Sequence, residues 1–300
     1  MVHCHSGGRV ETDIGAMNIL VTGAEGQLGR AIRRAAEGSA DHYIFTDVAE
    51  LDITDPEAVE RAVVESGVDV IINCAAYTNV ERAEEDEAKA LLLNATAVGY
   101  LAEAAKANNA LLIHISTDYV FMGGCCGLLT EESFPQPLNA YGRTKLAGER
   151  AIEQSGCHYM IVRTAWLYSE WGGNFVKTML RLMAERGEVR VVSDQLGTPT
   201  YAGDLAEALV RIIGERNFHE GVFHYTNLGE CSWWQFASEI ARRAGVEECR
   251  VVPCTTAEYG AKAPRPHYSV LSKEKFVRTF GIDIPEWQES LQRCIDELRA

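Results

Sequence analysis

Asn18-Ile19-Leu20-Val21-Thr22-Gly23-Ala24-Glu25-Gly26-Gln27-Leu28-Gly29-Arg30 is the stretch on which the fold turns. Ile19 to Val21, with β-branched Thr22 behind them, make the short apolar run of a buried strand, and Gln27 to Ala36 reads as a helix. Three glycines lie between and within these elements. Gly23 allows a tight turn, Gly26 lets backbone approach a ligand closely, and Gly29 lets the helix lie against the strand. The unsatisfied N–H groups at the start of such a helix favour a phosphate. Strand, glycine turn and helix in that order point to a dinucleotide pyrophosphate.

The neighbouring segments repeat the pattern. Tyr43-Ile44-Phe45-Thr46 is a second strand, and Asp47 closes it about 20 residues past the glycines, where a carboxylate suits the ribose hydroxyls of an adenosine. No Arg or Lys directly follows Asp47 to take a 2′-phosphate, so NADH is expected slightly ahead of NADPH; Arg30, Arg33 and Arg34 are close enough to keep NADPH open. Asp55-Pro56 starts a helix as N-cap and first-turn residue. Val68 to Asn73 is a buried strand with a small-residue exit, Cys74-Ala75-Ala76, and one long acidic helix is expected from about Glu81 to Ala107. Ala110 to Ile115 is the next strand and runs into Ser116-Thr117-Asp118-Tyr119. Strands alternating with helices predict an α/β fold with a doubly wound parallel sheet, which binds ligands at its carboxyl ends. Gly23, Asp47, Ala75 and Thr117 all fall at such ends.

Tyr141 and Lys145 follow on a helical run and share one face, a turn apart. Reduction of a ketone requires a hydride that no side chain supplies, hence a nicotinamide, and an acid beside the developing alkoxide. A tyrosine fills that role if a nearby cation lowers its pKa from about 10. Lys145 is placed for this, and Thr117 for a hydrogen bond to the same oxygen. Farther on, His158 to Arg163 is a strand, Asn174 to Leu180 a helix, and Asp204 an expected N-cap. Ser232 opens a helix whose Trp233, Trp234 and Phe236 read as core. Pro264-Arg265-Pro266 is a non-helical loop, and with Lys262 and Lys273 it is where a pyrophosphate clamp is expected. The expected organisation is an arm over 1–16, a Rossmann-type nucleotide-binding domain over 17–165, and a smaller mixed substrate-binding region over 166–300. Segments at about 190–215 are expected to return to the first domain.

Three hundred residues, 47% apolar and 24% charged, are ordinary for a globular protein with ample core. A net charge of −15 argues against nucleic acid, and no apolar run is long enough for a membrane span. Nine scattered cysteines form no C-x-x-C pair, so reduced thiols in a cytoplasm are expected. Met1 to Ala16 has no apolar core of a signal peptide, and Met17 reads as the functional beginning.

Together these motifs resemble the extended short-chain dehydrogenase/reductases, and within them the dTDP-4-dehydrorhamnose reductase family. The resemblance spans Met17 to about Arg299. It is carried by Gly23-x-x-Gly26-Gln27-Leu28-Gly29, Leu51-Asp52-Ile53-Thr54, Asn73-Cys74-Ala75-Ala76-Tyr77-Thr78-Asn79-Val80 and Ser116-Thr117-Asp118-Tyr119-Val120-Phe121. Asn139 to Glu149, Arg163 to Tyr168, Gly172-Gly173-Asn174-Phe175 and Asp194-Gln195-x-Gly197-x-Pro199-Thr200 extend it.

The resemblance implies that Gly26, Gln27 and Leu28 hold the pyrophosphate, Asp47, Asp52 and Ile53 the adenosine, and Ala76, Tyr77 and Thr78 the middle of an NADH or NADPH. Thr117, Tyr141 and Lys145 would be catalytic, with Tyr141 and Lys145 also touching the cofactor; Asp118, Trp166, Asn174 and Arg265 would face a nucleotide sugar. The implied activity is reduction of a sugar C4 ketone by a cytoplasmic monomer or homodimer. Some relatives bind Mg through a glutamate in the first helix; Arg30-Ala31-Ile32 stands there, so no metal is expected. The loop Gly123 to Leu129, Met122 after Phe121, and Val80-Glu81 depart from the family pattern. A 4,6-dehydratase would carry Thr-Asp-Glu where this chain has Thr117-Asp118-Tyr119. A 4-epimerase, which uses the same tyrosine and lysine, and a non-catalytic subunit resembling the methionine adenosyltransferase beta subunit are the alternatives.

Overall fold

The computed structural model describes residues 15–124 and 127–300. Most of the expected arm and the Cys125-Cys126 pair lie outside the described residues. In chain order, β1 (Asn18–Thr22), α1 (Gln27–Ala35), β2 (His42–Thr46), α2 (Pro56–Glu65) and β3 (Val70–Asn73) open the fold. The stretch expected as one long helix is instead α3 (Val80–Glu85), α4 (Glu87–Leu91), a π-helical turn at Leu92–Thr96 and α5 (Ala97–Ala107). Asp86 breaks it: its backbone leaves the helical region (φ −136°, ψ 61°), and its side chain caps α4 by accepting from the Lys89 amide at 3.1 Å. The π turn has a packing cause. It aims Asn94 inward, where Oδ1 accepts from the Tyr77 amide at 2.8 Å and Nδ2 donates to Thr144 Oγ1 at 3.1 Å.

Then come β4 (Leu111–Thr117), α6 (Ala140–Ser155), β5 (His158–Thr164), β6 (Leu167–Tyr168), α7 (Phe175–Glu185), β7 (Glu188–Val192), β8 (Leu196–Gly197), β9 (Thr200–Tyr201) and α8 (Ala202–Gly214). The chain ends with β10 (Gly221–His224), β11 (Cys231–Ser232), α9 (Trp233–Ala244), β12 (Arg250–Cys254), α10 (Thr256–Tyr259), α11 (Glu274–Phe280) and α12 (Trp287–Arg299).

Six strands form one parallel sheet in the order β10-β5-β4-β3-β1-β2. Winding reverses between β1 and β3, which opens a crevice at their carboxyl ends, the usual ligand position in such a sheet. Alternation along each strand divides the core. Ile19, Val21, Val70 and Ile72 pack with Leu28 and Ile32 of α1 and Leu205 and Leu209 of α8. Leu20 and Ile71 face the other way, onto Val59 and Val63 of α2, Leu101 of α5 and Ile152 of α6. Burial on both faces explains why these strands read as unbroken apolar runs.

A separate core joins α7, α9 and α12 to the parallel pair β7–β12 through Met179, Val189, Phe236, Ile240 and Leu291. Short pairings of β6 with β9 and β8 with β11 link this region to the sheet edge. Asp204, expected as an N-cap, instead lies within the first turn of α8, which begins two residues earlier. It is buried there and accepts from Asn227 Nδ2 at 2.6 Å and Ser290 Oγ at 2.5 Å, and it pairs with Arg293, tying α8 to α12. Among the described residues no helix is long and apolar enough to cross a membrane.

Candidate active site

The glycine turn meets the steric demand read from its spacing. Gly23 has φ +64°, and a Cβ there would lie 2.7 Å from the Ala75 amide nitrogen. At Gly29 a Cβ would lie 2.5 Å from the Ala24 Cα, so only glycine lets α1 lie this close to the turn. Gly26 is the N-cap of α1 and brings no side chain to its first N–H groups, which stay available to an anion. Gln27 is held from across the cleft: its Oε1 accepts from Asn174 Nδ2 at 2.9 Å and Ser169 Oγ at 3.1 Å.

These residues floor a cleft of about 750 Å³ at the carboxyl ends of the sheet. Gly23, Gly26, Gln27, Leu28, Asp47, Asp52, Ile53, Ala76 and Thr78 line one half, beside the glycine turn. Thr117, Asp118, Tyr141, Lys145, Trp166 and Asn174 line the other. Asp47 is anchored where the second strand ends, accepting from the Glu25 amide at 2.9 Å and the Val48 amide at 2.8 Å. Asp52 accepts from the Thr54 amide and hydroxyl, which hold its carboxyl below the usual range. Arg30 and Arg33 turn to Glu25, at 2.5 and 3.5 Å, and Arg33 also covers the Phe45 ring.

Three residues of the expected set lie off the cleft wall. Gly29 packs behind it. Tyr77 is fixed by its backbone to Asn94 and packs, as Tyr141 does, against the cluster Ala83, Ala90 and Ala140. Arg265 does not line the cleft; it pairs with Glu81 at 2.7 Å and hydrogen-bonds Tyr119. Lys262 pairs with Glu85 at 3.2 Å.

The chemical groups meet between β4 and α6. Asn139 caps α6, accepting from the Gly142 amide at 2.8 Å and donating to the Pro264 carbonyl at 2.9 Å. Gly142 packs against the Tyr119 carbonyl with no room for a Cβ, which pins Tyr141 to the end of β4. Tyr141 hydrogen-bonds Thr117, and its ring meets Tyr119 edge-on at 5.5 Å. Burial, with the Asp118 carboxylate, pushes the Tyr141 phenol up to about 12 despite that bond. Thr117 Oγ1 also donates to Asp118 Oδ1 at 3.0 Å, and burial raises the Asp118 carboxyl to about 6. Lys145 is 1% exposed; its Nζ donates to the Ile115 carbonyl at 2.7 Å and lies 3.2 Å from His114 Nε2. Burial pushes this ammonium down to about 8. The expected lowering of Tyr141 by Lys145 is therefore absent from this arrangement: both groups are shifted toward neutrality.

Trp166 adopts φ +48° and stacks on Trp233, centroids 3.5 Å apart and rings 13° from parallel. Trp233, read from sequence as core, lines the cleft with it. Its only signal in the sequence was its place as the first residue of the helix, directly after the capping Ser232.

The match to known proteins is extensive. Residues 17–300 match the family model described as the RmlD substrate binding domain. The dTDP-4-dehydrorhamnose reductase of Burkholderia thailandensis is 40% identical over 94% of this chain and 99% of its own length. The crystal structure of a dTDP-4-dehydrorhamnose reductase from Clostridium acetobutylicum superposes with a TM-score of 0.91 at 46% identity, covering 95% of this chain and 100% of that one. A second, from Bacillus anthracis in complex with NADP, gives 0.89 at 39% identity and covers 94% and 99%.

Proposed function

This chain belongs to the dTDP-4-dehydrorhamnose reductase family, and from that premise we propose that it reduces the C4 ketone of dTDP-4-dehydro-L-rhamnose to an alcohol, with Tyr141 as the proton donor. The observation that carries this reading is the convergence of Thr117, Tyr141 and Lys145 on the cleft that the glycine turn floors. The cleft suits a nicotinamide dinucleotide: the uncapped start of α1 fits its pyrophosphate and Asp47 its adenosine ribose. Bound there, NADH or NADPH supplies the hydride.

Each side chain then has a stated task. A phenol held near 12 is fully protonated at neutral pH, as a donor must be. Tyr141 passes its proton to O4 as negative charge develops, and Thr117, bonded to the same phenol, orients it and shares the charge. In the cofactor-free arrangement Lys145 does not lower the phenol; with a nicotinamide ribose bound beside it, its ammonium would stabilise the tyrosinate left behind. Asp118, Trp166 and Asn174 face the sugar side, with Trp233 completing the aromatic wall. Arg265 reaches substrate only by leaving Glu81. Asp47 would favour NADH slightly, because a carboxylate beside the ribose repels a 2′-phosphate, and Arg30 and Arg33, engaged by Glu25, would not offset it. The six described cysteines are free thiols, which fits a reducing cytoplasm.

The test supplies purified protein with dTDP-4-dehydro-L-rhamnose and either reduced cofactor, and follows cofactor oxidation together with the sugar product. Stoichiometric oxidation yielding the C4 alcohol is expected. A changed C4 configuration without net oxidation would identify an epimerase, and tight cofactor binding with no turnover a regulatory subunit.

A further inference from the structure

His114 lies on β4, three residues before Thr117, and is fully buried. Its ring bridges β3 and α6. Nδ1 is 3.0 Å from Asn73 Nδ2, and Nε2 is 3.2 Å from Lys145 Nζ. The partners decide which nitrogen carries the proton. The Ala75 amide, able only to donate, reaches Asn73 Oδ1 at 3.1 Å, and the Thr22 hydroxyl reaches the same oxygen at 2.8 Å. Oδ1 is thus the acceptor and Nδ2 the donor, so His114 Nδ1 holds a lone pair. Burial and the adjacent lysine keep the imidazole far below its usual range, hence neutral, with its one proton on Nε2. That N–H points at Lys145 Nζ. An ammonium has no lone pair to receive it; an amine does.

We propose that His114 is a positioning residue that favours Lys145 as the neutral amine in the cofactor-free protein, so that cofactor binding draws Nζ off the ring and takes up a proton. The proposal rests on the contact of Lys145 with the cofactor proposed above. The groups facing Lys145 agree with it. Glu149, on the same helix, would favour the ammonium but is committed to Arg163 at 2.6 Å and Ser116 at 2.5 Å. Cys74, at the end of β3, is pushed up to about 12 and stays uncharged, as does Tyr141. Nothing anionic and free therefore opposes the effect of the His114 N–H among these groups. The burial that brings Lys145 down to about 8 acts in the same direction.

Titration calorimetry of NADH into the protein near pH 8, in buffers of different ionisation heat, reads the proton directly. The wild type should take up about half a proton or more per cofactor, and its affinity should fall toward about tenfold per pH unit above pH 8. Lys145→Met should bind more weakly with no uptake. His114→Leu should still bind NADH, with uptake well below the wild-type value and the affinity profile moved to higher pH. Imidazole nitrogen NMR of the wild type, with His114 assigned by its loss in His114→Gln, should show a protonated Nε2, a bare Nδ1 and no titration between about pH 6 and 9. The wild-type proton uptake and its pH dependence are read without any variant, so they stand even if the variants misfold. A wild type that takes up no proton, a His114→Leu protein with unchanged uptake, or an Nδ1–H tautomer would each overturn the proposal. Undiminished NADH binding by Lys145→Met would instead overturn the lysine's role in the reaction.

Discussion

Asp118→Asn is a perturbation whose sign and size both follow from the site. Burial lifts this carboxyl from 3.8 to about 6, a shift worth about 3 kcal/mol. Because the folded value is the higher one, the native state disfavours the carboxylate. The penalty is absent below about pH 4, grows between pH 4 and 6, and is complete at neutral pH. Asparagine removes it, but its neutral carbonyl is a weaker acceptor than a carboxylate for the Thr117 hydroxyl, a loss of about 1 kcal/mol. The variant should therefore match or fall slightly below the wild type at pH 4.5, and exceed it by about 1–2 kcal/mol at pH 7.5. In a chain of 300 residues that is a rise in Tm of roughly 2–3 °C. Turnover should fall, since the gain comes from a group strained for its place in the cleft. Denaturant titrations at both pH values measure the difference. A stability gap that does not change with pH, or one that favours wild-type Asp118 more strongly at pH 7.5, would refute the reasoning.

Gly29→Ala should destabilise the protein by about 1–3 kcal/mol in thermal melts, because the new methyl meets the backbone of Gly23 and Ala24 at 2.5 Å. Cofactor affinity should drop with it, since the same shift moves the start of α1; an unchanged melt would mean that the close approach is not needed. Trp233→Ala removes a stacked partner worth about 0.5–1.5 kcal/mol and should raise the KM for the sugar more than the Kd for NADH. Equal changes in both would place Trp233 outside the sugar site. Asp47→Ala should weaken NADH more than NADPH in a binding titration, and equal weakening would remove Asp47 from the ribose site.

Much of this arrangement was legible in the sequence, for reasons that differ by element. The doubly wound sheet was readable because each buried strand is a short apolar run between turn residues, and because Gly23, Asp47, Ala75 and Thr117 all stand at strand ends. Tyr141 and Lys145 were readable because a helix enforces their spacing. What stayed hidden depends on contacts between distant segments. The π turn at Leu92–Thr96 exists because α6 packs closely on it: a Cβ on Gly148 would overlap the Asn94 carbonyl, and no local pattern around Asn94 announces this. Asp204 reads as a cap because its partners, Asn227, Ser290 and Arg293, lie up to 89 residues away. Trp233 reads as core until Trp166, at a left-handed backbone position, lies against it. Arg265 reads as a free cation until Glu81 meets it across the fold. β10, Gly221–His224, has only Val222 and Phe223 as apolar residues, a run too short to signal the sixth strand.

The central claim is that Tyr141 protonates the sugar oxygen while the cofactor is oxidised. Single-turnover oxidation of NADH at saturating keto sugar, compared between the native protein and Tyr141→Phe, tests it most directly. The substitution removes one hydroxyl, and Kd for NADH should stay within about twofold, while the single-turnover rate falls by roughly 10²–10⁴-fold. A Tyr141→Phe protein that oxidises NADH at the native rate would contradict the account.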